Sequence, residues 1–75
     1  MTDQPEWEAK VKGLLKAELK KRNVTYAQLV DKLKAIGVSE TEPNIRNKLA
    51  RGKFTAVFLI QCLTAIGAHR LELAE

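Results

Sequence analysis

Apolar residues recur at intervals of three and four along most of this chain, and capping residues or glycines punctuate each run. Trp7, Val11, Leu14, Leu15 and Leu19 share one face at about 100° per residue, which predicts a first helix from about Glu6 to Arg22. Residues 1–5 read as a loose lead-in. Lys20, Lys21 and Arg22 suit the negative end of that helix, and Asn23 tolerates the left-handed conformation that ends it. Thr25 and Gln28 have capping-box spacing, and Val24 and Leu29 stand where a hydrophobic staple closes. The second stripe is Tyr26, Leu29, Val30, Leu33 and Ile36, stopped by Gly37.

The stretch from Ser39 to Lys53 predicts a third helix. Ser39 and Glu42 have capping-box spacing, and Thr41 is a second candidate cap. Pro43 suits a first turn, Ile45 and Leu49 share the inner face, and Gly52 turns the chain off the end. Thr55 caps a fourth helix from Ala56 to Ile66, ahead of Gly67. That helix is apolar nearly all round and must be covered on most sides, part of the cover coming from a second copy. In the tail, residues 68–75, Leu71 and Leu73 alternate with Arg70 and Glu72; this predicts a short strand, with a single helical turn as the alternative. The expected core is Val11, Leu14, Leu15, Leu29, Val30, Leu33, Ile45, Leu49, Leu59, Leu63 and Ile66.

Composition narrows the picture. Seventy-five residues allow one domain, 1–75, with a marginal core that a partner chain would help. Aromatics are 5%, so aliphatic side chains must build the interior. The formal net charge is +4, and the acids gather toward the ends: Asp3, Glu6 and Glu8 in front, Glu72 and Glu75 behind. A basic middle of this kind is an electrostatic footprint suited to nucleic acid. Cys62 is the single cysteine, which suits a reducing compartment. The polar start lacks a signal peptide's apolar region, and the run Ala56–Ile60 is too short to span a bilayer. A cytoplasmic protein without a membrane partner is expected. His69 and Cys62 fall short of a zinc ligand set, and no glycine-rich phosphate loop is present. Neither enzyme activity nor a cofactor, metal or small-molecule ligand is expected.

The third helix carries the candidate chemistry. Pro43, Asn44, Asn47 and Arg51 point away from Ile45 and Leu49, with Lys48 at their flank and no acid from Pro43 to Lys53. Asn and Arg make paired hydrogen bonds to adenine and guanine edges. A plain solvated surface helix is the alternative. The ordered set VTYAQLVDKL, GVS at 37–39, ARGK at 50–53 and FLIQCLTAIG at 58–67 resembles the lambda-repressor/Cro helix-turn-helix family over about residues 14 to 68. The chain is also similar to small bacterial proteins of uncharacterised activity that carry an IRNKLARGKF-like segment.

The resemblance implies an all-α, four- to five-helix repressor-like domain that binds double-stranded DNA and regulates transcription. It implies base readers at Asn44, Asn47 and Arg51, and phosphate contacts at Thr25, Tyr26, Gln28, Lys48 and Lys53. The chain departs from the pattern in places. Lys34-Ala35-Ile36 adds a turn to helix 2, and the family's early Gln falls on Tyr26, or on Gln28 in a shifted register. Glu40 and Glu42 precede the reading helix; they would repel phosphate, accept from cytosine, or simply stabilise the helix start. A homodimer through Val57, Phe58, Ile60, Leu71 and Leu73 is expected. The competing reading is a protein-interaction module on the same scaffold, antitoxin-like or an adaptor.

Overall fold

Four helices, α1 (Pro5–Lys21), α2 (Tyr26–Ala35), α3 (Glu42–Arg51) and α4 (Ala56–Ala65), form the computed structural model, which describes residues 5–73. The domain is all-α, with no strand among the described residues. Each of the first two helices packs against both of the last two.

The helix ends follow the punctuation in the sequence. Thr25, Thr41 and Thr55 cap the last three helices, their hydroxyls accepting from the amides of Gln28, Asn44 and Phe58. The capping box at Thr25 is complete in both directions. At α3 Thr41 is the cap rather than Ser39, because Glu42 and Pro43 already occupy the first turn. α1, α2 and α4 stop alike: Asn23 (φ 57°), Gly37 (φ 86°) and Gly67 (φ 78°) turn left-handed. Val24, Val38 and Ala68 then donate back to Leu19, Leu33 and Leu63 at 2.9 Å, closing Schellman motifs. α1 begins at Pro5, one residue before the expected start, since proline's fixed φ suits a first turn. The rest of the expected lead-in lies outside the described residues.

Leu15, Leu19, Leu29, Leu33, Ile45, Leu49, Phe58, Cys62 and Leu63 form the buried core, with Val30, Leu59 and Ile66 partly buried against it. Several expectations need correction. Val11 and Leu14 are only half-buried, and Trp7 is 58% exposed with Lys10 over its ring. α1 gives the core only Leu15 and Leu19, so its first turns reach past the core's edge. Ile36 leaves the inner face because it is the residue at which α2 unwinds.

Phe58 is buried, edge-to-face with Phe54 at 5.4 Å, and so is not free for a dimer contact. It shares the inner face of α4 with Cys62 and Leu63, while Val57 (64% exposed) and Ile60 (59%) point outward. Residues 68–73 form neither strand nor helical turn. A strand needs a neighbour for its backbone hydrogen bonds, and the described residues of this chain, all helix or loop, offer none. Leu71 instead packs on its own core, and Leu73 stays exposed. None of the described helices is long and apolar enough to cross a membrane.

Candidate nucleic-acid interface

α3 is anchored by two side chains, Ile45 and Leu49, both fully buried one helical turn apart. That anchoring fixes which residues face out. Asn44, Asn47 and Arg51 are all exposed, and no carboxylate pairs with Arg51 among the described residues. Asn44, Asn47 and Arg51 therefore share one outward face, as the spacing predicts.

The two acids ahead of this face are both occupied. Glu40 turns inward: its side chain is 11% exposed, and its Oε2 accepts from Lys48 Nζ at 2.5 Å. Its other oxygen is buried without a hydrogen-bond partner among the described residues. The Lys48 ammonium sits over the Phe58 ring, 4.4 Å from its centre. This cluster ties the α2–α3 connection to α3 and α4. Lys48, expected from the sequence at a phosphate, here pairs with a nearly buried carboxylate while its own side chain stays 38% exposed. A charge so held is costly to withdraw, because Glu40 would be left unpaired. Beneath the cluster, burial pushes the Cys62 thiol up to about 12; the charge of Glu40 adds to the rise and that of Lys48 opposes it.

Glu42 pairs with Arg46 one turn on, at 3.0 Å, on the exposed side of α3. Arg46 also lies over the Tyr26 ring, 5.7 Å from its centre, joining the start of α2 to α3. Tyr26 is half-buried and packs on the core. Thr25 and Gln28 spend one hydrogen bond each on the cap: the Gln28 amide donates to Thr25 Oγ1 at 3.1 Å, and Gln28 Oε1 accepts from the Thr25 amide at 2.9 Å. The hydroxyl proton of Thr25 and the side-chain NH2 of Gln28 remain to donate. Lys53 is exposed and faces Glu8 of α1 at 3.8 Å.

α1 closes on the far end of α3. Lys12 Nζ donates to the Ala50 carbonyl at 3.1 Å. Gly52 lies so close under α1 that a Cβ there would stand 2.5 Å from the Glu8 carbonyl oxygen. These contacts, like the Glu40–Lys48 pair, join residues without helical spacing, so periodicity could not reveal them. Among the described residues, no three His, Cys, Asp or Glu side chains gather as a metal site would need.

Fold and surface together define a small four-helix domain that presents one polar, carboxylate-poor helix face. The chain belongs to the family described as domain of unknown function DUF6471, whose profile matches residues 7–71 and so takes in nearly all of the four helices. No curated protein and no solved structure matches the chain.

Proposed function

We propose that this domain binds double-stranded DNA with α3 in the major groove and acts as a small transcriptional regulator. One observation carries the reading. The outward face of α3 offers Asn44, Asn47 and Arg51, while the two acids that precede it are drawn off: Glu40 inward to Lys48, Glu42 sideways to Arg46. An acid aimed at the groove would repel the backbone; two neutralised ones leave an amide-and-guanidinium face suited to purine edges. The major groove is about 12 Å wide and admits a helix. α2 and α3 pack together as a helix-turn-helix pair would, although residues 36–41 make a longer connection than the usual three or four residues. The free donors of Thr25 and Gln28, at the start of α2, support phosphate contacts there.

A homodimer on a two-fold site belongs to the same proposal. Val57, Ile60 and Leu73 are its exposed apolar contacts, and Phe58 and Leu71 are withdrawn from it. Those same apolar side chains favour the second reading, a protein-interaction module.

Binding to a randomised duplex pool, followed by selection, tests the proposal. Arg51→Ala or Asn47→Ala should weaken a selected site by about 1–3 kcal/mol per lost bidentate contact and relax base choice there. Absence of duplex binding at low salt by folded protein would refute the DNA reading and leave the interaction module.

A further inference from the structure

Lys12, Lys16 and Lys20 of α1 form a line in which Lys12 bonds to the Ala50 carbonyl and the other two have no role in the contacts described so far. They recur every fourth residue, so they leave one side of the helix at steps of about 6 Å, about 12 Å in all. Like charges at this spacing weaken a helix. The acids of α1 do not relieve them. Glu6 in the first turn pairs with none of the three, Glu8 faces Lys53, and the buried Glu18 holds Arg22 and Lys21. Among the described residues, no carboxylate lies within ion-pair distance of the three lysines. Lys16 and Lys20 are exposed.

The line starts at α3. Lys12 is bonded to the Ala50 carbonyl, and moving from Glu8 to Lys12 along α1 means moving back from Gly52 to Ala50 along α3. The lysines therefore begin beside the end of α3 that carries Arg51 and Lys53, and continue along the helix packed against it. We propose that Lys16 and Lys20, led by Lys12, grip the phosphates of one strand bordering the groove that α3 enters. The proposal rests on the DNA reading and adds backbone contacts away from Lys48, which is paired with Glu40. A duplex presents a fixed row of phosphates, about one per 3.4 Å of axis on each strand. A bilayer surface is a poorer fit. Beside the lysines lie the small residues Ala9, Gly13 and Ala17, with Leu73 the exposed large apolar side chain next to them, less than an inserting apolar face needs.

The experiment is a salt titration of the full chain on a labelled random-sequence duplex, from about 50 to 200 mM salt. Wild type is compared with K16Q/K20Q and with K32Q/K34Q, which carries the same charge change on α2. The α1 variant should lower the slope of log affinity against log salt by about 1.8, at 0.9 per phosphate. Its affinity at the lowest salt should fall at least about tenfold, while the α2 variant stays near wild type. Wild-type binding with an unchanged K16Q/K20Q slope, or equal losses in both variants, would overturn this inference and leave the DNA reading standing. Failure of wild type to bind any duplex would end both readings. Tighter binding of wild type to phosphatidylserine vesicles than to duplex would overturn the phosphate-strand assignment. Circular dichroism of each variant verifies that the exposed substitutions leave the fold intact.

Discussion

Gly52→Ala is the sharpest test of how α1 is joined to α3. Gly52 has φ 69°, where a Cβ crowds the following carbonyl at a cost of about 1–2 kcal/mol. The new methyl would also stand 2.5 Å from the Glu8 carbonyl oxygen, 3.0 Å from its carbon and 3.2 Å from the Glu8 Cβ. Restoring an ordinary contact near 3.4 Å means moving the α1 backbone by about 0.9 Å. That shift disturbs the Lys12–Ala50 hydrogen bond and the Lys53–Glu8 pair as well. Overpacking of this kind costs typically about 1–3 kcal/mol, so the total is about 2–5 kcal/mol. A domain of 75 residues has roughly 4–11 kcal/mol to lose. Gly37→Ala is the control, because φ there is 86° and a Cβ would meet nothing within 4 Å. It should lose only the conformational part. Urea unfolding followed by helical circular dichroism gives both values under one m-value. Equal losses at the two glycines would refute the close approach of α1 and with it the placement of the α1 lysines beside α3.

Other substitutions report on separate parts of the fold. Leu33→Ala, at a fully buried core position, should cost about 2–5 kcal/mol in the same urea assay, and a neutral result would remove Leu33 from the core. Gly13→Ala should instead stabilise by roughly 0.5–1 kcal/mol, since Gly13 is exposed inside a helix with open space around it; a loss would mean that another chain lies close on α1 in solution. Cys62 should react with a thiol reagent at pH 8 only as fast as the domain unfolds, because the buried thiol stays protonated; rapid labelling of folded protein would contradict its burial. Its raised pKa also sets a direction for stability. Below about pH 9 both states hold the proton, and between about 9 and 12 only the unfolded thiolate has lost it, so this contribution fades as pH rises. Urea midpoints that climb over that range in wild type relative to Cys62→Ala would contradict it.

Local signals made most of the fold legible. The four helices, the caps at Thr25 and Thr55 and all four left-handed stops fall where period and punctuation place them, and α3 takes the second of its two candidate caps, Thr41, because those devices act within a few residues. Errors arise where a neighbour decides. Trp7 has the right spacing for the α1 stripe, yet spacing says nothing of where the core ends. Phe58 reads as surplus surface on a helix apolar all round; only the presence of α1 and α2 on one side of α4 selects Phe58, Cys62 and Leu63 over Val57 and Ile60. The tail alternates like a strand, but alternation cannot supply a partner strand.

The candidate site was legible in its outward face and opaque in its electrostatics. Helical spacing groups Asn44, Asn47 and Arg51 without further help. Charge reading along the sequence, however, treats every acid and every lysine as solvated. It therefore sets Glu40 against a nucleic-acid partner and assigns Lys48 to that partner. Packing instead pairs the two with each other. Val38 is drawn back by its bond to Leu33, and Glu40, two residues on, is nearly buried over α4. A carboxylate there requires a cation, and Lys48 is the one that reaches it, steadied by the Phe58 ring. The acid that counts against groove binding in the sequence thus becomes a brace for the helix that would do the reading. With Lys48 paired, the search for further phosphate contacts turns to α1.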